Sequence, residues 1–167
     1  MLAALAHGDA DAFGILYTRH HPFVLAVAHR FTRNETDAAD IAHEVFIDLA
    51  RRAGRIVLVG RLTTYLYPAI KHAALAAARR KRPIALAEVP DAEAAEMPAG
   101  EFGPLHAAVD SLPEIHREVV LLRIVDGLSV EEAALALAIA PGTVKSRLHA
   151  ALAALREDPR ARGYFED

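Results

Sequence analysis

The sequence has no cysteine and no tryptophan. Without cysteine the chain forms no disulfide framework, thiolate metal site or thiol nucleophile. No uninterrupted apolar run approaches the ~20 residues that span a bilayer, and the first seven residues lack the basic start of a signal peptide. We therefore expect a cytoplasmic protein with no direct membrane insertion.

Aromatic residues are also scarce, at 6% of the 167 residues, whereas hydrophobic residues of all kinds make up 53%. Alanine is abundant, and it has the highest helix propensity of all residues. The apolar fraction is sufficient for hydrophobic cores, and the length suits one or two small domains. Together these features predict an all-α fold.

Basic residues are absent from residues 84–104, a stretch rich in Pro, Ala, Gly and Glu that contains five acidic residues. The residues before it carry twelve Lys/Arg against seven Asp/Glu, and those after it carry seven against ten. Such a change in composition indicates a flexible linker. We predict two small helical domains, 1–83 and 105–167, joined by a flexible acidic linker at 84–104.

Residues 127–148 read as two short helices joined by a tight turn. Gly127 can take the left-handed conformation that ends a helix. Ser129 and Glu132 have the spacing of a capping box, and Pro141 suits the first position of the next helix. This pattern predicts a helix-turn-helix in the second domain.

The second helix of this pair would place small polar and basic side chains away from its apolar stripe. Such side chains suit the reading helix of a helix-turn-helix; they are Thr143, Lys145, Ser146, Arg147 and His149. Helical hairpins with a few basic residues often only pack, so both interpretations stay open on spacing alone. Upstream, Ser111 and Glu114 have the spacing of a second capping box, opening a helix with Val119, Leu122 and either Ile124 or Val125 inside.

The first domain begins with a helix that Asp9 can cap, and Pro22 should kink or split it. His20 and His21 are adjacent, so they lie on different helix faces and make a poor metal site. The nine histidines of the chain are scattered without His-x-x-x-His spacing. We expect no catalytic residue, no metal, no cofactor and no small-molecule substrate.

A helix from about Asp37 to Arg52 carries an acidic stripe beside its apolar one. The stripe consists of Asp37, Asp40, Glu44 and Asp48. Like charges at this spacing repel by a few tenths of a kcal/mol per pair, a cost that a basic partner would offset. With Phe46 partly exposed near the edge, the stripe is either a solvated face or a docking face.

The last helix of this domain, from about Leu62, has aromatics at its head and a basic run at its end. Tyr65 and Tyr67 could stack on bases while Lys71, Arg79 and Arg80 hold phosphates, as in single-strand sites. Alternatively, the basic run is a solvated helix terminus, where cations favour the negative end of the dipole.

Several stretches together resemble bacterial extracytoplasmic function (ECF) sigma factors. Residues 112–123, 127–129 and 142–149 are similar to region 4 of that family. Residues 8–17, 37–46 and 65–82 are similar to region 2. The resemblance implies a promoter-specificity subunit of RNA polymerase, which is not an enzyme.

The resemblance also implies the partners of each surface. Asp40, Glu44, Phe46 and Asp48 would dock on the clamp helices of the largest polymerase subunit, and region 4 would meet the flap of the second. Tyr65, Tyr67, Lys71, His72, Arg79 and Arg80 would hold and melt the −10 element. Thr143, Lys145, Ser146, Arg147 and His149 would read the −35 element of promoter DNA. An anti-sigma factor is the expected inhibitor.

The sequence departs from the family at a few positions. Ala138 replaces the glycine usual in the turn, and Ala140 leaves the reading helix without a side-chain cap, worth about 1 kcal/mol. Pro68 falls in the −10 helix, after an apolar loop at 56–59 that could bind an anti-sigma factor. These departures keep a second hypothesis open, a stand-alone helix-turn-helix regulator whose region 2 binds only another protein.

Overall fold

The computed structural model describes residues 2–81 and 103–165, which contain eight α-helices and no β-strand. The helices belong to two compact units, one on each side of residues 82–102. The predicted linker lies almost wholly outside the described residues, although α5 begins at Gly103, two residues before the predicted domain boundary.

The N-terminal unit contains four α-helices: α1 (Leu2–Ala6), α2 (Ala10–Thr32), α3 (Glu35–Arg52) and α4 (Leu62–Lys81), with a 3-10 turn at Ala53–Arg55. The side chain of Asp9 caps α2, as predicted, and Asn34 caps α3, which therefore starts two residues earlier than expected. Helices α2, α3 and α4 pack against one another. Their shared core includes Leu16, Val24, Val27, Ile41, Leu49, Leu66 and Ile70.

Two prolines lie inside helices of this unit without dividing them. Pro22 is exposed within the continuous α2, so it does not split the helix, and the alternative of a kink stays a prediction. Pro68 is likewise exposed within α4. An exposed ring leaves the freed backbone carbonyl close to solvent, where water can satisfy it.

The C-terminal unit contains α5 (Gly103–Ser111), α6 (Glu114–Val120), α7 (Val130–Leu137) and α8 (Pro141–Glu157), followed by a 3-10 turn at Arg162–Tyr164. One buried cluster joins its first and last parts. It consists of Ala108, Leu112, Val120, Ala151, Leu155 and Ala161, with Leu105, Val109 and Leu148 packed on it. The residues after α8 thus contribute to this core.

The predicted capping box at Ser111 is absent, and the prediction is wrong. Ser111 is the last residue of α5, and its hydroxyl donates to the carbonyl of Ala108 over 2.7 Å. Helix α6 follows with Pro113 at its N-cap and no side-chain cap. Because the Ser111 hydroxyl donates to a carbonyl in the last turn of α5, it does not cap α6.

Helix α6 continues as a π-helical segment at Leu121–Val125. There the amide of Asp126 donates to the carbonyl of Leu121 over 2.9 Å, one residue further than in an α-helix. Val119 and Leu122 are buried as predicted, but Ile124 and Val125 are 60% and 63% exposed. The prediction that one of them lies inside is wrong, because the wide turn carries both outward.

No helix among the described residues is both long and apolar enough to cross a membrane.

Candidate nucleic-acid and polymerase interfaces

The acidic side of α3 is formed by residues three or four positions apart, which brings their carboxylates into one line. Asp40 and Glu44 are exposed, and the side chain of Asp48 is half-exposed. Asp48 accepts a hydrogen bond from Arg52 Nε one turn later, over 2.8 Å. Asp40, Glu44 and Asp48 therefore lie along one face of α3.

Phe46 does not belong to this face. It is 1% exposed, and its ring lies 4.7 Å from the ring centroid of Tyr17 and 6.5 Å from that of Phe13. The expectation of a partly exposed aromatic is therefore wrong. Phe46 is one turn from the buried residues Ala42 and Leu49, and this spacing already assigns it to the core stripe.

The exposed apolar residue beside the acidic side is Ile47, which is 47% exposed. It lies three positions after Glu44 and therefore on the same side of α3. Ile47 could not be predicted from the sequence, because a single isoleucine between polar residues gives little signal. The geometry now assigns Asp40, Glu44, Ile47 and Asp48 to one mixed acidic and apolar surface, which we call the α3 face.

His20 and His21 are two of the three histidines in α2. His21 stacks near Tyr17 and Phe46, at centroid distances of 4.8 Å and 6.3 Å. Partial burial, with Arg19 and Arg61 nearby, lowers the pKa of His20 below its ordinary value. Among the described residues, no three His, Asp or Glu side chains cluster as metal ligands would.

The tyrosines at the head of α4 have different environments. Tyr67 is 3% exposed, with its ring 6.3 Å from that of Phe31, so it cannot stack on a base without leaving the core. Tyr65 is half-buried and accessible. The assignment of Tyr67 to a single-strand site is therefore wrong, while that of Tyr65 stays a prediction.

The remaining candidates on α4 fall into two groups. Tyr65, His72 and Arg79 are two turns apart in succession, so they lie along one side of the helix. Lys71 lies off this line, with its ammonium 5.9 Å from the ring centroid of Phe31, a cation–π arrangement. Arg79 and Arg80 are both exposed. We call the line of Tyr65, His72 and Arg79 the α4 line.

The helix-turn-helix of the C-terminal unit forms as predicted. Gly127 has a φ of 65°. The Ser129 hydroxyl accepts from the amide of Glu132 over 3.1 Å, and Glu132 accepts from the amide of Ser129 over 2.8 Å, which completes the capping box. Arg123 donates to the carbonyl of Leu128 and so ties the π-helical segment to this loop.

The turn between α7 and α8 also has the predicted departures. Ala138 adopts a left-handed conformation, with φ 54° and ψ 43°, a region that glycine enters without a steric cost. Ala140 is the N-cap of α8, has extended backbone angles and makes no side-chain cap. Pro141 occupies the first turn, as expected.

Helix α8 separates a buried side from a polar one. Val144, Ala151 and Leu155 are buried, whereas Lys145, Ser146 and His149 are exposed. Thr143 and Arg147 are half-buried, and the Ser146 hydroxyl donates to the carbonyl of Thr143 over 3.0 Å. All five predicted reading residues thus lie within the first nine residues of α8. The exposed ones can reach a major groove.

Comparisons with known proteins agree with this arrangement. The Sigma-70 region 2 family matches residues 16–84, and the Sigma-70, region 4 family matches residues 102–155. RNA polymerase sigma factor CarQ of Myxococcus xanthus is 33% identical over 157 residues, covering 90% of both chains. ECF RNA polymerase sigma factor SigW of Bacillus subtilis is 29% identical over 171 residues, covering 92% of this chain and 91% of SigW.

Solved structures show the same fold. CnrH, in complex with the cytosolic domain of CnrY, has a TM-score of 0.69 at 24% identity, covering 92% of this chain and 90% of CnrH. The sigma factor RpoE of Bartonella quintana, in complex with the anti-sigma factor NepR, has a TM-score of 0.70 at 21% identity, covering 89% and 96%. The chain belongs to the ECF sigma factors. It is a promoter-recognition subunit of RNA polymerase.

Proposed function

We propose that the three surfaces described above divide promoter recognition among them. The α3 face binds the clamp helices of the largest polymerase subunit, the α4 line holds the melted −10 strand, and the start of α8 reads the −35 element. The observation that carries this proposal is that one short chain combines an exposed acidic helix face with a helix-turn-helix. Because polymerase and chromosome share the bacterial cytoplasm, the chain acts there, and bond formation belongs to the polymerase.

Binding to the core polymerase relies on Asp40, Glu44 and Asp48, with Ile47 at the centre of the contact. Exposed carboxylates steer a basic partner surface and set its register. An apolar side chain among them adds buried area, at about 25 cal/mol per Å². Phe46 lies in the core beneath the α3 face and does not touch the polymerase.

The −10 contact uses the α4 line, with Tyr65 as the stacking residue and His72 and Arg79 beside the strand. Stacking on an aromatic ring is worth about 1–3 kcal/mol per base, and basic side chains hold the backbone. Lys71 and Arg80 flank the line and add positive charge. Tyr67 does not contact DNA in this scheme.

The −35 contact uses the polar side of α8. Lys145 and Arg147 are the side chains that can pair with guanine, and Ser146, Thr143 and His149 supply further base or phosphate contacts. Ala150 and Ala153 are exposed after them, where basic residues would anchor phosphates. Phosphate anchoring is weak as a result, so this helix depends on polymerase for its position.

Two exposed apolar areas suit protein partners. In the C-terminal unit, Ile115, Ile124 and Val125 are exposed, and we assign this area to the flap of the second largest subunit. In the N-terminal unit, the loop after α3 exposes Val57 and Val59. We assign this loop to an anti-sigma factor, since the sigma factor RpoE, which has the same fold, has been solved in complex with the anti-sigma factor NepR.

The test is reconstitution of a holoenzyme from the full-length chain and core polymerase. We expect complex formation and initiation only from promoter templates. Failure to bind core would overturn the assignment of the α3 face. Promoter-independent initiation by the complex would overturn the roles of α4 and α8.

A further inference from the structure

The two charged surfaces of the N-terminal unit touch each other. Lys81, the last residue of α4, places its ammonium 2.6 Å from both carboxylate oxygens of Asp37 near the start of α3. One residue before, Arg80 Nη2 lies 3.7 Å from Glu44 Oε2. The basic end of the DNA-binding helix therefore lies against the acidic side of the polymerase-binding helix.

Asp37 makes the tighter of these two ion pairs. Its side chain is 27% exposed, whereas that of Glu44 is 57% exposed, and a more shielded pair is screened less by salt. The carboxylate of Asp37 is not needed to cap α3, because Asn34 accepts the amide of Asp37 over 3.0 Å. We therefore take the contact with Lys81 as the role of the Asp37 carboxylate.

We propose that Asp37 and Glu44 compete with the DNA backbone for Lys81 and Arg80 within the chain. A carboxylate and a phosphate offer the same kind of charged oxygen to an ammonium or guanidinium group. A strand that passes the end of α4 must therefore displace these pairs before both basic side chains can hold it. The inference rests on the proposed −10 role of α4.

The ion pairs between α3 and α4 would also couple the binding of polymerase to the binding of DNA. Glu44 belongs to the α3 face, so a polymerase that engages Glu44 releases Arg80 for the strand. By linkage, DNA that engages Arg80 frees Glu44 for polymerase to the same extent. Polymerase and promoter would then each strengthen binding of the other without any change of fold.

The test measures binding of the full-length chain to a fluorescein-labelled oligothymidylate by anisotropy, over a series of salt concentrations. Asp37→Asn should raise the affinity about two- to fivefold, the range set by an exposed ion pair. The slope of log affinity against log salt should steepen by about 0.7, the contribution of one more phosphate contact on a single strand. Equal affinity and equal slope for the two proteins would overturn the inference.

A matched control separates release of Lys81 from a general change in charge. Glu35→Gln removes one negative charge from the same exposed turn of α3, two residues away. We expect a smaller gain in affinity and an unchanged slope. If Glu35→Gln matched Asp37→Asn in both quantities, bulk electrostatics would account for the gain and the inference would fail.

A double-mutant cycle tests the pair itself. In a Lys81→Gln background, Asp37→Asn should give no gain, because no ammonium remains to be released. A full gain in that background would contradict the inference. Arg79→Gln tests the underlying −10 role separately: no loss of affinity would overturn both proposals. A loss for Arg79→Gln without a gain for Asp37→Asn would overturn the inference alone.

Discussion

Among the described residues of the C-terminal unit, Ala138 is the one non-glycine residue with a positive φ. An L-residue in the left-handed region costs roughly 1–2 kcal/mol, and the φ of 54° places Ala138 there, in the turn of the helix-turn-helix. Glycine avoids the clash of Cβ but loses more entropy on folding. The steric cost of alanine in this conformation is therefore modestly larger than the extra conformational entropy that glycine would lose on folding.

Ala138→Gly should accordingly stabilise the C-terminal unit, by about 1 kcal/mol. Ala150→Gly is the control, because Ala150 is exposed inside α8 and glycine there should destabilise by about 1 kcal/mol. Urea unfolding followed by circular dichroism measures both. Destabilisation by both substitutions would show that the turn is not strained.

Arg147 is the residue that we expect to contribute most to reading the −35 element. Arg147→Ala should lower initiation by roughly 5- to 150-fold, the 1–3 kcal/mol of a lost bidentate base contact, with core binding unchanged. Arg156→Ala, the same charge change near the end of α8, is the control and should have little effect. Run-off transcription and a core-binding assay measure the two quantities, and equal losses for both variants would argue against base reading.

At the scale of single residues, the sequence predicted the conformations that local chemistry determines. It did not predict those that depend on helix boundaries or on packing against another helix. Ser129 and Ser111 have the same capping-box spacing, but only Ser129 precedes its helix by one residue. Ser111 is still inside α5, a boundary that the motif alone cannot reveal. The spacing of Phe46 from Ala42 and Leu49 was enough to assign it to the core, whereas the burial of Tyr67 depends on packing against Phe31 of α2.

At the scale of elements, the acidic side of α3 has two kinds of charged contact, an ion pair within the chain and the proposed contact with polymerase. Asp37 is held by Lys81, whereas Asp40, Glu44 and Asp48 form the proposed contact with polymerase. The ion pair within the chain thus lies at the start of α3, and the proposed polymerase contact lies further along the helix. A substitution in the middle should therefore affect polymerase binding first.

Glu44→Lys should weaken core binding by at least about tenfold, since like charges facing each other at an interface cost several kcal/mol. Glu35→Lys makes the same charge change at the exposed start of α3 and should weaken it far less. Competition for core polymerase against an unmodified, labelled chain measures both. Similar losses would mean that net charge, and not the α3 face, governs docking.

The short tail after α8 is held to α5 by one carboxylate and one guanidinium. Asp158 accepts from Arg160 Nη2 over 2.7 Å, and Arg160 Nη2 also donates to the Ser111 hydroxyl over 2.8 Å. Hydrogen bonds from the Arg160 side chain and backbone lower the pKa of Asp158 from 3.8 to about 2. The charged carboxylate is thus favoured in the folded chain.

A lowered pKa contributes stability above the unfolded value of 3.8, and this stability is lost as the pH falls through about 2. The difference in unfolding free energy between the unmodified chain and Asp158→Asn should therefore be constant above pH 5 and shrink towards pH 2. Glu157→Gln, one residue away, is the control. A difference that does not depend on pH would show that the contact with Arg160 is absent in solution.

Periodicity predicted the helices well because each has an apolar stripe to bury. It failed at Leu121–Val125, since a repeat of 3.6 residues cannot anticipate a π-helical turn. The candidate site was predictable where it lies on the exposed sides of α3 and α8. The contacts of Asp37 and Glu44 were not, because they join residues 44 and 36 positions apart through the packing of α3 on α4.

At the scale of the whole molecule, neither unit is equipped to bind DNA strongly alone. The chain has a net charge of −3, the reading helix lacks a cap, and the basic end of α4 is paired with acids. Each feature weakens free binding, and each is compatible with recognition once polymerase positions both units. Two weak contacts held at a fixed separation combine into one strong one through effective concentration.

The isolated chain should therefore bind a promoter duplex at least about a hundredfold more weakly than the holoenzyme does, the lower end of the gain from linking two sites. Gel shifts at matched salt, with and without core polymerase, measure the ratio. Moving the −35 element by half a helical turn should abolish most of the holoenzyme's advantage, because both contacts can then no longer form together. Equal affinity with and without core would instead support a stand-alone regulator, in which α8 alone supplies the binding energy and the α3 face serves another partner.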